Sequence, residues 1–202
     1  MGMVLVLSTL ADENIDRVLA DPPLVWRVVA PHDPDAYEQS RREQAKPSFL
    51  GALLGKGNRR VPEVEDLALG DAEGISTELD KAWHGIHYLL TGTADEGEPP
   101  WTFLVSGGRT VGDIEVGYGP ARVFTSAETN VISKAIVPLT DDELRARFSP
   151  ADMTAKKIYP HIWSRGSPDQ ETIGYLLEYF ALLRGFLRQA AEAKVGIVLA
   201  LL

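Results

Sequence analysis

Residues 168–201, with the sequence PDQETIGYLLEYFALLRGFLRQAAEAKVGIVLAL, decide the fold of this 202-residue chain. Ser167 and Pro168 open a helix, because serine caps helix starts and proline suits the first helical position. Apolar residues then form two adjacent stripes: Ile173, Leu176, Leu177, Phe180, Leu183 and Leu187 in one, and Tyr175, Tyr179, Leu182 and Phe186 in the other. A helix that is apolar over so wide an arc is predicted to be central and nearly buried. Residues 195–201 follow it and are apolar on both faces, which predicts a strand inside a sheet.

The N-terminus predicts a second buried strand at residues 3–8, from a short apolar run with β-branched residues. Most of the chain between the two strands has helical patterns. Two of these helices are opened by capping pairs, Thr125 with Glu128 and Thr140 with Glu143. The predicted fold class is therefore α+β: a small sheet that includes the strands 3–8 and 195–201, flanked by several helices around the long central helix 168–193.

Three further segments complete the predicted elements. Residues 24–30 are a strand candidate, because they form a short apolar run that is closed by a proline. Residues 78–91 are predicted to be a helix, with Gly92 at its C-terminal cap. Residues 107–119 hold five glycines and are predicted to be a loop.

The length fits one domain, which we expect to cover residues 1–202. Residues 31–75 differ from the rest, because they hold four prolines and five glycines and show no sustained period. A short helix is predicted at residues 35–45. The remainder of this region is interpreted as an irregular insertion or lid, since so long a stretch without regular elements is unusual in a compact domain.

The composition limits the chemistry that the chain can support. It has no cysteine, which excludes disulfides, cysteine-ligated metal sites and thiol nucleophiles. Its formal net charge is -9, and phosphate binding needs clustered cations, so nucleic acid is not an expected partner. The apolar start lacks the cationic residues of a signal peptide, and the last apolar run is far too short to span a bilayer. We therefore expect a cytoplasmic protein that does not associate with membranes.

The negative charge is concentrated in one window. Residues 61–100 hold ten carboxylates and one base, Lys81, so they account for the whole net charge. The preceding residues 41–60 hold six bases against Glu43 alone. Two interpretations stay open: these are solvated loops that attract each other, or they form a charged docking surface.

A candidate binding site lies on the predicted helix 78–91. At about 100° per residue, Asp80, His84 and His87 fall within about 60° of one another, beside the apolar stripe. Two histidines with a carboxylate are residue types that bind a divalent metal or carry out acid–base chemistry. The alternative is that they border the core, with Asp80 favoured near a helix start and the histidines hydrogen-bonded to neighbouring backbone.

The run Ile158-Tyr159-Pro160-His161-Ile162-Trp163 supplies the other candidate binding residues, Tyr159, His161 and Trp163. If it is exposed, its aromatic rings would stack on a ligand, and His161 would supply a third metal ligand. If it is buried, the run would be a rigid crossover that closes the core. Tyr159 and Trp163 would then each find one polar partner.

The sequence holds no catalytic motif with a known mechanism, neither a Gly-x-Ser-x-Gly elbow nor a His-Glu-x-x-His zinc motif. Its glycine-rich segments 106–109 and 117–119 lack the spacing of a phosphate-binding loop. Arg122, beside a Gly-Pro turn, is interpreted either as half of an internal ion pair or as a clamp for a carboxylate or phosphate. No catalytic residue is assigned.

Several strings spread along the chain follow a family pattern: Met1-Gly2-Met3, LDKAWHGIHYLLTG at 79–92, YGPAR at 118–122, IYPHIW at 158–163 and the aromatic helix before the last strand. Together they resemble the YfbM-like family, a bacterial family classed as a domain of unknown function. The resemblance covers nearly the whole chain except residues 31–75. It implies a single α+β domain in a soluble bacterial protein, and it implies neither an activity nor site residues.

The function that these observations favour is a non-enzymatic binding or protein-interaction module. It is favoured because catalytic motifs are absent and an acidic surface segment is predicted. The alternative is a small-ligand or metal-binding enzyme that uses Asp80, His84 and His87, with the run 158–163 lining its pocket. No cofactor is expected and no metal site is assigned. The expected partner is another protein or a second copy of the chain.

Overall fold

The computed structural model describes residues 2–45, 67–163 and 168–202. Within these ranges, five strands form one antiparallel sheet in the order β2-β1-β5-β4-β3. The strands are β1 Leu5–Leu10, β2 Ser76–Glu78, β3 Arg109–Gly117, β4 Gly119–Phe124 and β5 Gly196–Leu201. Both predicted terminal strands are therefore present, and they are direct neighbours that pair along their whole lengths.

Helices cover both faces of this sheet, which confirms the α+β class. They are α1 Asp12–Ala20, α2 Trp26–Val29, α3 Pro34–Ala45, α4 Trp83–Thr91, α5 Ser126–Ile136, α6 Asp141–Arg147, α7 Pro150–Ala155 and α8 Pro168–Ala193. A short 3-10 helix, Pro22–Val25, precedes α2. The long helix α8 has the predicted bounds. Among the described helices, none has both the length and the apolar character that crossing a bilayer requires.

Strand β5 is apolar on both faces because each face lies in a different core. Ile197 and Leu199 belong to the main core, which they share with α4, α5 and α8. Val198 and Ala200 point the other way and belong to a smaller core with α1 and α2. A polar side chain at any of these positions would be cut off from water, so the alternation of polar and apolar residues that marks a half-exposed strand is missing.

The predicted capping pairs form at the starts of α5 and α6. The Thr125 hydroxyl accepts a hydrogen bond from the backbone N–H of Glu128, and the Glu128 carboxylate accepts one from the N–H of Thr125 at 2.7 Å. Thr140 and Glu143 make the same reciprocal pair. These bonds satisfy N–H groups that a helix start leaves unpaired, so both starts are encoded locally.

The strand predicted at residues 24–30 is wrong, because this stretch forms the end of the 3-10 helix and helix α2. Four of its apolar residues are buried in the smaller core: Leu24, Val25, Val28 and Val29. Their spacing suits one face of a helical segment. A short apolar run is compatible with a strand or a buried helix, and here packing onto the sheet face decides for the helix.

The loop predicted at residues 107–119 is also wrong, because most of it belongs to the hairpin of β3 and β4. The strands pair from Arg109 onward, and their register is interrupted before Glu115. Gly112 lies in this interruption with φ +53°, and a Cβ there would lie 2.9 Å from Pro22 Cγ. The glycine therefore permits an irregular strand in close contact with the 3-10 helix.

Part of the region 31–75 lies outside the described residues, namely 46–66. The helix predicted at 35–45 is confirmed as α3, whose Arg41 donates a hydrogen bond to the Asp21 carboxylate at 2.6 Å. Four of the six bases in the basic stretch fall outside the described ranges: Lys46, Lys56, Arg59 and Arg60. The insertion or lid, and the single domain over 1–202, stay predictions.

Candidate functional site

The histidine-bearing helix begins later than predicted. The pattern predicts a helix over 78–91, but α4 starts only at Trp83 because β2 and a turn take the preceding residues. Asp80 lies in that turn with φ +41°, so it is not on the helix that carries the histidines. Its carboxylate accepts a hydrogen bond from the Tyr175 hydroxyl at 2.9 Å. Burial, with this carboxylate as the next cause, raises the pKa of Tyr175.

Both ring nitrogens of His84 are engaged by the backbone. The N–H of Tyr159 donates to Nδ1 at 3.0 Å, and Nε2 lies 2.7 Å from the carbonyl oxygen of Ala94. Since Nδ1 accepts, the proton of the neutral ring is on Nε2, which donates to Ala94. Burial, the largest influence, lowers the pKa of His84. His84 therefore connects α4 to two separate segments as a neutral hydrogen-bonding residue.

His87 is fully buried. Its Nε2 lies 3.3 Å from the hydroxyl oxygen of Thr91, which itself donates to the carbonyl of His87 at 3.0 Å. Its Nδ1 has no hydrogen-bond partner among the residues that the structure describes. Burial, and then the neighbouring His84, lower the pKa of His87 to about 4. The ring is therefore neutral at neutral pH and closed off from solvent.

A stack of aromatic rings joins α4 to the run 158–163. The Trp83 ring lies 5.0 Å from the ring of His84 and 6.1 Å from that of Tyr159, with both pairs stacked. Trp83 Nε1 donates to the carbonyl of Met3 at 3.3 Å, and the Tyr159 hydroxyl accepts from the N–H of Met3 at 3.0 Å. The stack therefore fastens the segment before β1 to α4 and to this run.

The run 158–163 is divided between surface and interior. Trp163 is 1% exposed, and its Nε1 donates to the carbonyl of Ile158 at 2.6 Å. His161 is exposed, and its ring centre lies 6.3 Å from that of Tyr159. Tyr159 also lines an open surface cleft of about 660 Å³ together with Asp80.

The structure brings some of the predicted site residues together and separates others. Tyr159 contacts His84 and His161, whereas His87 and Trp163 lie in the interior. A metal ligand needs an unoccupied ring nitrogen, which His84 lacks. Within the described ranges, no group of three His, Asp or Glu side chains is arranged to hold a metal ion. This geometry favours structural roles for both histidines of α4.

We expect the protein to lose stability as the pH falls from about 6.5 towards about 4. The pKa of His87 is about 4 in the folded state, below its ordinary value of 6.5, so the unfolded state takes up the proton first. The stabilisation is complete above pH 6.5 and is lost through this window, by about 3 kcal/mol. His84, whose pKa is also lowered, acts in the same direction. Urea unfolding measured across this pH range tests the expectation.

The variant His87→Gln isolates the contribution of His87 to the pH dependence of stability from that of the other titrating groups. Its stability is expected to fall less steeply with pH than that of the wild type, whatever its stability at neutral pH. The exposed His32 provides the matched control, and His32→Gln should keep the wild-type slope. An unchanged slope in His87→Gln would contradict the role of this ring.

Sequence reasoning missed an apolar cleft of about 420 Å³ between residues 99–108 and α5. Its walls are formed mainly by Pro99, Pro100, Phe103, Phe124, Val131 and Ile132. Val131 faces outward and is 56% exposed, while Ile132 beside it is buried. The pair has the pattern of two core residues in the sequence, so only the packing of α5 shows that one of them is on the surface.

Negative charge lies beside this cleft. Three exposed carboxylates directly precede the wall formed by the two prolines: Asp95, Glu96 and Glu98. Glu128 lies in the wall itself, and the described lining residues include neither lysine nor arginine. The cleft is therefore an apolar surface next to an acidic one.

The fold and these sites define the chain as an α+β protein with a helix-covered antiparallel sheet. A family model described as "Domain of unknown function (DUF1877)" matches residues 1–200, and the chain belongs to that family. The crystal structure of YfbM from Escherichia coli, a protein of unknown function, is similar to this chain with a TM-score of 0.63. It is 16% identical, and the match covers 99% of this chain and 100% of that one. The YfbM-like resemblance is thus confirmed, and at this identity the likeness shows the fold alone. No curated protein matches the chain.

Proposed function

We propose that this protein is a non-enzymatic binding module whose apolar cleft, between residues 99–108 and α5, docks a partner peptide. The peptide carries apolar side chains flanked by lysine or arginine. One observation carries the proposal: an open apolar wall and exposed carboxylates occur at the same place.

The walls of the cleft are suited to apolar side chains. Phe103 and Phe124 are buried in an edge-to-face pair with ring centres 6.5 Å apart, which gives the cleft a fixed floor. Val131 extends the apolar surface outward to solvent. Covering this surface with a partner's side chains removes it from water, which favours association.

Charge selects among the partners that fit. Asp95, Glu96 and Glu98 are exposed, and Lys81 is the sole base in the described residues 67–100. Complementary charges steer association, and like charges reject wrong partners. A peptide with lysine or arginine beside its apolar residues is therefore favoured over a neutral or acidic one.

The variant Val131→Asp is expected to weaken peptide binding by about tenfold or more, because it places a carboxylate on the apolar wall. The probe is a short fluorescein-labelled peptide of leucines and lysines, titrated with the full chain and followed by fluorescence anisotropy. A counterpart with glutamate in place of each lysine should bind far more weakly. Because Val131→Asp also makes the protein more acidic, it separates docking from simple charge attraction, which would increase.

The matched control is Leu182→Asp, since Leu182 is 49% exposed on α8 and lies outside the cleft. It should bind the lysine peptide like the wild type. The proposal is overturned if the lysine peptide does not bind, if both variants weaken binding equally, or if Val131→Asp binds more tightly. A dimer of the chain that Val131→Asp dissociates would also overturn it, because a second copy would then be the occupant.

A further inference from the structure

Arg122 is a cation on the core-facing side of the sheet. It lies on β4 and shares a face with Phe124, which belongs to the main core. Its guanidinium donates to the carbonyl oxygens of Leu104 at 2.8 Å and Gly107 at 3.0 Å. The guanidinium carbon, Cζ, lies 5.8 Å from the centre of the Phe124 ring. These contacts hold the guanidinium in place without neutralising its charge.

Arg184 provides an internal comparison, because its surroundings are nearly the same. It donates to the carbonyl oxygen of Leu139 at 3.0 Å and lies 5.5 Å from the ring centre of Phe180. Its guanidinium also has a carboxylate, Asp141, at 3.5 Å. Arg122 has no such partner among the described residues, so the ion pair that the sequence allowed is not formed there.

A partly buried cation without a counter-charge is costly, because it has given up part of its hydration. The pKa of Arg122 reflects this, since burial lowers it to about 10. Two of the five N–H donors of a guanidinium are used by the two carbonyls. The other three have no hydrogen-bond partner among the residues that the structure describes, and they can meet an anion from outside the chain.

Arg122 lines a small pocket of about 160 Å³ together with Leu104, whose carbonyl oxygen accepts from its guanidinium. Its walls are formed mainly by Leu5, Trp83, Val105, Pro120, Leu199 and Leu201. An apolar cavity of about 150 Å³ is large enough to hold a benzene molecule. The pocket therefore has room for a short hydrocarbon chain of a few carbon atoms.

We infer that this pocket binds a carboxylate that carries a short apolar chain, with the carboxylate on Arg122 and the chain among the apolar walls. A phosphate dianion is disfavoured, because it presents more acceptors than one guanidinium can satisfy and has no chain to fill the walls. Tyr118 also lines the pocket and is half-exposed. The inference stands on this pocket alone and does not depend on peptide docking at α5.

The carboxylate has two sources, a free acid or the C-terminus of a peptide, and four probes distinguish them. Isocaproate and its neutral amide test the free acid. N-acetyl-glycyl-leucine, with a free or an amidated C-terminus, tests the peptide end. Each is titrated into the nitrogen-15-labelled full chain, and backbone amide shifts of residues 104–107 and 118–122 are followed by NMR. We expect saturable shifts with at least one carboxylate and none with the matching amide.

Arg122→Met is expected to weaken binding by about tenfold or more. Because Arg122 also holds two carbonyls, a second variant, Val105→Trp, fills the pocket and leaves the arginine and those bonds in place. It should lose binding as well, and it decides the matter if Arg122→Met does not fold. Arg184→Met, the matched control, should bind like the wild type. The inference is overturned if neither carboxylate binds, if the amides bind equally, or if a folded Val105→Trp keeps wild-type affinity.

Discussion

Replacing Trp163 with alanine is expected to lower the free energy of unfolding by about 3–5 kcal/mol. The side chain is 1% exposed and belongs to the main core, where its ring lies over Gly85 and next to Leu176. Truncation removes the largest fully buried side chain of the described residues and leaves a cavity that rigid neighbours fill only in part. Urea unfolding followed by circular dichroism measures the loss.

Trp101→Ala is the matched control, because Trp101 is only partly buried at the edge of the same core. Its loss should be clearly smaller. If Trp163→Ala is no more destabilising than Trp101→Ala, burial is not the main role of Trp163. The hypothesis that this ring stacks on a ligand would then regain support.

The variant Gly85→Ala is expected to be destabilising, by about 1–3 kcal/mol, although alanine is normally better than glycine in a helix by roughly 1 kcal/mol. A Cβ on Gly85 would lie 2.6 Å from Leu176 Cδ2 and 2.8 Å from Trp163 Cη2. Both side chains are fully buried and have little room to move. Steric overlap therefore outweighs helix propensity. The same unfolding measurement gives the sign directly.

Gly185→Ala is the control and should raise the free energy of unfolding by roughly 1 kcal/mol, because a Cβ on Gly185 in α8 meets nothing within 4 Å.

In the Trp163→Ala background, Gly85→Ala should lower the free energy of unfolding by about half as much as in the wild type, since one of its two clashes is gone. Stabilisation by Gly85→Ala in the wild type, or additive losses in the double variant, would contradict this packing.

The sequence predicts only part of the geometry around the candidate binding residues, and the binding site itself stays a prediction. The periodicity of α4 correctly places His84 and His87 on one helix, because a helical period is visible in residues that lie three apart in the sequence. The hydrogen bond that joins His84 to Tyr159 spans 75 positions, and no local pattern reports it. The position of Asp80 depends on the pairing of β2 with β1. This pairing extends to Glu78, so Asp80 lies in the turn that follows the strand and not in a helix.

The sequence by itself determined the long helix 168–193, the terminal strands and the capped starts of two helices. Each of these depends on a local period or on bonds between residues three apart. Because it has no cysteine, the sequence also excluded disulfides, cysteine-ligated metal sites and thiol nucleophiles. Only the tertiary structure decided that residues 24–30 are helical, that Val131 faces outward and that Arg122 has no carboxylate beside it in the described chain. Each of these depends on which distant residues meet, and packing, not local pattern, sets that.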